Sequence, residues 1–167
     1  MQYECVNLTL DDKFAVTGML DEWRSKAGDR LPKGIWQIDP TDFSEYVDYI
    51  NTPVKSDVGT VHTFFARNNN TRAMVGAVEV TIYDGVCPQN RGNLLIALRP
   101  THRGFGFSKG LLEAALVTCR SLKLPAPIVA TEDRDSSFNR LINVYNQQNV
   151  VASEGYHRCI LSLQPVV

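Results

Sequence analysis

The stretch that decides the fold is Leu94-Leu95-Ile96-Ala97-Leu98-Arg99-Pro100-Thr101-His102-Arg103-Gly104-Phe105-Gly106-Phe107-Ser108. It begins with five apolar residues in an unbroken run, which is typical of a strand buried on both faces. A turn that contains Gly104 and Gly106 follows, and the apolar residues after this turn have helical spacing. The sequence therefore predicts a buried strand that runs through a glycine-rich turn into a long helix.

This junction has the features of an anion site. The first backbone N–H groups of a helix have no partner inside the helix, and together they carry about half a positive charge. Gly104 and Gly106 would let a phosphate approach the backbone, and Arg103 could add a charge-assisted contact. The alternative is that the glycines only turn the chain. The sequence contains neither G-x-G-x-x-G nor G-x-x-x-x-G-K-[ST], the motifs of dinucleotide and nucleoside-triphosphate sites.

Hydrophobic periodicity predicts strands and helices on both sides of the junction. Before it we expect a strand at 3–10, a helix ending near Gly28, a helix from Asp39-Pro40 to before Pro53, and a hairpin of strands 60–67 and 73–83. After the long helix we expect a strand at 125–131, a helix capped by Asp135, and two strand pieces within 150–163. The pattern predicts one domain of α/β (α+β) class over residues 1–167.

Composition excludes several classes of protein. Seventeen basic and eighteen acidic residues leave a formal charge of −1, so no global field favours nucleic acid or an anionic membrane. The N-terminus lacks the features of a signal peptide, and no apolar run approaches the ~20 residues needed to span a bilayer. The four cysteines and three histidines are scattered, which predicts no metal site. We therefore expect a cytoplasmic protein without nucleic-acid or membrane partners.

Residues 94–108 resemble the central strand and coenzyme-binding turn of the GCN5-related N-acetyltransferase (GNAT) superfamily. The turn in that family reads [R/Q]-x-x-G-x-[G/A], which Arg103 and Gly106 match, while Ser108 replaces the final small residue. The predicted order of elements is also similar to the family's over essentially the whole chain, and residues 133–151 resemble a predicted-acetyltransferase subgroup. The resemblance implies a mixed, mostly antiparallel sheet with helices on both faces, and acetyl-CoA in a splay between central strands.

The resemblance also implies the coenzyme contacts. The backbone of Ile96, Ala97 and Leu98 would pair with the pantetheine arm as a missing strand neighbour would. The diphosphate would bind the amides of Arg103, Gly104, Phe105, Gly106, Phe107 and Ser108. Asn139 stands where the family often has an asparagine or serine that contacts the coenzyme arm. The alternative for Asn139 is a polar residue that faces solvent.

Two side chains are candidates for the chemistry. Tyr145 stands where many family members carry a tyrosine that protonates the departing thiolate, and a core aromatic residue is the alternative. Glu79 interrupts a valine-rich strand next to the central one, so it could take the proton that an amine must lose before it attacks. Its alternative is an exposed strand carboxylate. Polarisation of the thioester carbonyl is expected from a backbone N–H near Leu98.

These implications lead to one functional prediction and two alternatives. The prediction is an acetyl-CoA-dependent N-acetyltransferase that transfers an acetyl group directly to a primary amine of a small molecule or protein, with no metal. The first alternative is a catalytically inactive acyl-CoA-binding regulatory module. The second is a domain that binds a different phosphate or nucleotide. The sequence leaves the oligomeric state open, a homodimer included.

Overall fold

The computed structural model describes residues 2–26, 31–132, 136–150 and 155–162. In these ranges the strands are β1 Tyr3–Val6, β2 Val54–Ser56, β3 Gly59–Asn68, β4 Met74–Tyr83, β5 Leu94–Leu98, β6 Ile128–Glu132, β7 Asn146–Val150 and β8 Tyr156–Leu161. The α-helices are α1 Lys13–Arg24, α2 Phe43–Asn51, α3 Phe107–Ser121 and α4 Ser136–Asn143. Short 3-10 helices span Leu10–Asp12, Lys33–Trp36 and Pro100–His102.

The described strands form a single sheet. Their order is β1-β3-β4-β5-β6-β8-β7, and β2 pairs with β3 beside this path. The pairing of β5 with β6 is parallel, whereas the other pairings are antiparallel. The predicted mixed and mostly antiparallel sheet is therefore confirmed.

Each face of the sheet carries its own hydrophobic core, because side chains alternate along β4. Val78 and Val80 pack with residues of α3 such as Leu112. Ala77 packs on the other face with residues of α1 and α2. Helices thus cover both faces, as predicted. Full burial of one leucine of α3 stabilises the fold by roughly 1.5–3 kcal/mol, so this helix is held firmly against β5.

The first strand is shorter than predicted. It ends at Val6 instead of residue 10, because the chain turns into a 3-10 helix at Leu10. Thr9 begins this turn, and both its N–H and its hydroxyl donate to Asp12 Oδ2, at 2.8 and 2.9 Å. α1 follows directly and ends at Arg24, while the predicted end near Gly28 lies outside the described residues.

The predicted start of α2 at Asp39-Pro40 is wrong by three residues. Asp42 caps the helix by accepting the Glu45 N–H at 3.1 Å, whereas Asp39 accepts the N–H of Thr41 in the preceding turn. Either aspartate can cap a helix, and in the structure α2 begins directly after Asp42 with the buried Phe43. β2 was not predicted, and β7 begins four residues earlier than expected. The predicted cap at Asp135 lies outside the described residues.

Candidate functional site

Strands β5 and β6 diverge and leave a wedge between them. Among the described residues they pair only at Leu94 and Val129, although parallel strands normally bond evenly along their length. A cavity of about 370 Å³ occupies this wedge, and it is lined by residues 94–98, by the start of α3 and by β6. One edge of β5 beyond Leu94 therefore faces a cavity instead of a strand.

The ladder between β4 and β5 decides which backbone groups face the wedge. The Arg99 N–H donates to β4 at 2.8 Å beside the Gly76–Leu98 pair, so this pair is of the non-hydrogen-bonded kind. The N–H and C=O of Leu98 consequently point away from β4, and alternation gives Ile96 the same orientation. The peptide groups of Ala97 point toward β4 instead. The expected backbone contact of Ala97 is therefore corrected, although Ala97 still lines the cavity.

Asn93 holds the closed end of the wedge. Its N–H donates to the Ile128 carbonyl at 2.6 Å, and its Oδ1 accepts the Ile128 N–H at 3.1 Å. Its side-chain amide donates to the Thr81 carbonyl at 3.0 Å. A Cβ at Gly92 would lie 2.4 Å from the Ile128 carbonyl oxygen, so glycine allows this close approach. Sequence reasoning missed this clamp, for which the only local signal was an asparagine beside a glycine.

The turn before α3 depends on two glycines in the left-handed region. Gly104 has φ 82° and Gly106 has φ 81°, and a Cβ on either would meet no atom within 4 Å. The glycines are thus needed for backbone conformation and not for space inside the protein. Gly106 is the N-cap of α3. Gly104 and Ser108 line the cavity, so the positive end of the α3 dipole lies at the wedge.

The side chains of the turn take different directions. Arg103 lines the cavity, and its guanidinium donates to the Leu98 carbonyl from Nε at 3.3 Å and from a terminal nitrogen at 3.2 Å. The Phe105 ring is 76% exposed. The Phe107 ring packs edge-on against His102, with ring centres 4.8 Å apart. Arg103 is thus the side chain of the turn that places a positive charge beside the open end of β5.

The turn between β5 and α3 is tied to α1. Arg99 donates to Glu22 Oε1 from Nε at 2.7 Å, and the Thr101 hydroxyl donates to Glu22 Oε2 at 2.9 Å. Desolvation opposes ionisation of Glu22, but these hydrogen bonds together lower its pKa. Sequence reasoning missed Glu22, because a carboxylate on the polar face of a helix has no local feature that marks it.

Asn139 lies behind the cavity wall. It is on α4, and its Oδ1 accepts a hydrogen bond from the Thr131 hydroxyl. Thr131 lines the wedge cavity, whereas Asn139 lines a separate cavity of about 320 Å³. Asn139 therefore lies close to the wedge cavity, but Thr131 separates its side chain from that cavity.

Glu79 stands where the wedge meets a second, larger cavity. It lies opposite Leu95 in the β4–β5 ladder and accepts the Lys33 N–H at 3.1 Å. The second cavity, of about 720 Å³, is lined by Glu79 and shares Leu94, Leu95 and Ala130 with the wedge cavity. The carboxylate is half-buried and reaches the side of the sheet that carries α1 and α2.

Tyr145 does not line the wedge cavity, and its hydroxyl is bonded to α3. The residue is fully buried, and its hydroxyl donates to Glu113 Oε1 at 2.7 Å. Burial, followed by this bond, raises the pKa of Tyr145 to about 12. Glu113 follows Ser108 by five residues and so lies about 140° further around α3. The bond to Glu113 argues against the expected role of the phenol beside the departing thiolate, which stays a prediction.

A Tyr145→Phe variant should therefore lose stability and not turnover. Loss of the bond to Glu113 is expected to lower the free energy of unfolding by about 1–2 kcal/mol, measured by urea denaturation. We expect kcat to stay within about threefold, because the phenol proton is committed to Glu113. A fall in kcat of about 100-fold with unchanged stability would restore the catalytic role. Glu113→Gln is the matched control, since it changes the same bond and keeps the phenol.

Membrane-spanning helices and metal-binding clusters are both absent from residues 2–26, 31–132, 136–150 and 155–162. None of the described helices is long and apolar enough to cross a membrane. In the same ranges, no group of three or more histidine, cysteine, aspartate or glutamate side chains could hold a metal ion.

Comparison with known proteins gives matches at the level of structure. No family model matches the sequence, and no curated protein matches it. A chimera of the spermidine N-acetyltransferase SpeG from Vibrio cholerae and hSSAT matches with TM-score 0.58 and 14% identity over 98% of this chain and 96% of that chain. The ribosomal-protein-S5-alanine acetyltransferase from Vibrio fischeri matches with TM-score 0.61 and 11% identity over 96% and 92%. The chain therefore has the fold of the GCN5-related N-acetyltransferases.

Proposed function

We propose that this chain is an acetyl-CoA-dependent N-acetyltransferase that moves the acetyl group directly to a primary amine. The observation that carries the proposal is the wedge between β5 and β6, with the N-terminus of α3 beside it. Strand edge and helix end together supply what coenzyme A needs, namely hydrogen-bonding groups for an amide-containing arm and N–H donors for a diphosphate. The two matched structures are named as acetyltransferases, which supports the same class of reaction.

The coenzyme would bind with its pantetheine arm along β5 and its diphosphate at the amides of residues 104–108. The predicted Arg103 amide is left out of this set, because its N–H donates to the Pro100 carbonyl at 3.2 Å. Ile96 offers its N–H and carbonyl to the arm, and Leu98 offers its N–H, because the Leu98 carbonyl accepts from Arg103. About 13 Å of strand separates Leu98 from Leu94, so the arm would carry the thioester toward the closed end of the wedge. Glu79 lies opposite Leu95 in the ladder, which puts a carboxylate near that end.

The reaction needs a base and a polarised carbonyl. An alkylammonium acceptor, with a reference pKa near 10.4, gives a proton to Glu79 directly or through water. Its nitrogen attacks the thioester carbon and the N–C bond forms. The C–S bond then breaks, the nitrogen loses its second proton to water, and the released coenzyme A thiolate takes up a proton from solvent. The N–H of Ile96 would polarise the thioester carbonyl. It replaces the predicted N–H near Leu98, because Ile96 is two residues closer along β5 to Leu95, the residue opposite Glu79.

Direct transfer is favoured over a covalent acyl-enzyme. None of the four cysteines, all of which lie in described parts of the chain, lines either cavity. Burial raises the pKa of Cys119 to about 12, so its thiol stays protonated at neutral pH. The acceptor amine is therefore the nucleophile.

A second candidate function is coenzyme binding without catalysis. It is favoured by the hydrogen bond of Tyr145, whose hydroxyl donates to Glu113 of α3. A binding module would raise its melting temperature with coenzyme A and release no thiol from acetyl-CoA with any amine.

Ligand binding and thiol release test the proposal. Coenzyme A at about 100 times its Kd should stabilise the protein by about 2.7 kcal/mol, which is a rise in Tm of roughly 5–10 °C. ATP at the same concentration should give no comparable rise. Acetyl-CoA with a panel of spermidine, lysine peptides and monoamines should release thiol. A Tm rise with ATP and none with coenzyme A would favour the nucleotide-binding alternative instead.

A further inference from the structure

The second cavity has an uneven set of charges. It adjoins the wedge through Leu94 and Leu95, and its described lining contains one carboxylate, Glu79. The same lining contains two cationic residues, Lys33 and Arg91. The described lining therefore has a formal charge of +1, although the cavity is expected to receive an ammonium ion.

Of the two cationic residues, Lys33 lies beside Glu79 through its backbone N–H, whereas Arg91 lies further along β4. Glu79 and Tyr83 point to the same face of this strand and are separated by about 13 Å of backbone. Tyr83 stands at the Arg91 end, where its hydroxyl donates to the Gly92 carbonyl at 3.3 Å. Burial raises the pKa of Tyr83, the charges of Cys87 and Glu79 add to that rise, and the charge and hydrogen bond of Arg91 oppose it. The Arg91 guanidinium thus lies beside Tyr83, the last residue of β4 and four residues beyond Glu79.

The position of Arg91 is fixed by its backbone. Its N–H donates to the Pro88 carbonyl at 3.0 Å. Its carbonyl accepts a hydrogen bond from Arg158 Nε at 2.8 Å, and Arg158 is buried. The guanidinium therefore extends from an anchored point of the loop between β4 and β5, and Arg91 is exposed, so the guanidinium is accessible to an anion.

We propose that the acceptor is a small amine that carries one ammonium group and, several carbon atoms away, one carboxylate. This rests on the proposed function. The ammonium group binds Glu79 beside the thioester, and the carboxylate binds Arg91, whose planar guanidinium matches a carboxylate with two parallel hydrogen bonds. The acetylated product keeps the carboxylate and loses the positive charge.

The same charges disfavour polyamines. A second ammonium group on the acceptor would approach Arg91, and the described lining offers no carboxylate there. Like charges repel, and this repulsion would weaken binding of a diamine relative to a monoamine of equal length. An amino acid with its carboxylate several carbon atoms from the ammonium group avoids this repulsion.

Three six-carbon amines test the proposal: 6-aminohexanoate, hexylamine and 1,6-diaminohexane. They share one spacer length and differ only in the charge of the far end. We expect kcat/KM for 6-aminohexanoate to exceed that for hexylamine by at least about tenfold and that for 1,6-diaminohexane by more. Arg91→Gln should remove the advantage of 6-aminohexanoate over hexylamine. Arg91→Glu should make 1,6-diaminohexane the best of the three.

Arg72→Gln is the matched control, because Arg72 is an exposed arginine in the turn between β3 and β4 and lines neither cavity. It should leave all three values unchanged. A preference for 1,6-diaminohexane in the unmodified enzyme, or equal values for the three amines, would overturn the proposal while the acetyltransferase function stands. If no amine releases thiol, the acetyltransferase function fails. Saturation-transfer NMR on the coenzyme-loaded protein then compares the binding of the three amines. Strongest binding of 6-aminohexanoate supports the charge assignment, and any other order of affinities overturns it.

Discussion

A Ser108→Asp variant is expected to lose coenzyme A binding and to keep its stability. Ser108 is the second residue of α3 and lines the wedge cavity. A carboxylate there interacts favourably with the helix dipole, which adds about 0.3–1 kcal/mol to stability. The same carboxylate repels a diphosphate at the helix N-terminus. We expect the Kd for coenzyme A, measured by calorimetry, to rise at least about 100-fold, or about 2.7 kcal/mol.

The chain offers a matched control for this variant. Ser44 is the second residue of α2, also follows a phenylalanine and is exposed. Ser44→Asp should therefore add the same charge at the same helical position and leave the Kd for coenzyme A unchanged. If Ser108→Asp bound coenzyme A as tightly as the unmodified protein, the diphosphate would lie somewhere other than the α3 N-terminus.

Glu79→Gln is expected to lower turnover about 100-fold and to leave coenzyme affinity unchanged. Glutamine keeps an oxygen that can accept the Lys33 N–H but cannot take a proton from an ammonium ion. General-base catalysis typically contributes 10²–10⁴-fold, so the loss should be seen in kcat for thiol release. The Kd for coenzyme A should change by less than about twofold, since Glu79 faces the acceptor side of the sheet.

Glu45→Gln provides the control for Glu79→Gln. Glu45 is an exposed carboxylate of α2 and lines neither cavity, so its replacement should leave kcat unchanged. Equal kcat values for the Glu79→Gln variant and the unmodified protein at every pH would mean that water removes the amine proton without Glu79.

Local sequence signals predicted the centre of the fold to the residue. The apolar run became β5 at Leu94–Leu98, and the helix after Gly106 became α3. Both signals are local: a run of apolar residues can satisfy burial on two faces, and glycine can adopt a positive φ at a helix N-cap. The start of α2 failed because Asp39 and Asp42 are equivalent as caps, and only packing distinguishes them.

The direction of individual groups could not be predicted in the same way. The ladder between β4 and β5 determines which peptide groups of β5 face the wedge. The peptide groups of Ala97 face β4 instead. Whether a residue after α4 reaches the wedge depends on which side of α3 it packs, and Tyr145 packs toward Glu113. Asn93 clamps two strands that are not consecutive in the chain. Each of these features depends on tertiary contacts that no short stretch of sequence encodes.

A crystal structure of the protein with coenzyme A tests the central claim most directly. The diphosphate should accept hydrogen bonds from the amides of residues 104–108, and the pantetheine arm should bond to Ile96 and Leu98 along β5, with the thiol within reach of the cavity that Glu79 lines. A structure with coenzyme A bound elsewhere and the wedge between β5 and β6 empty would contradict the claim.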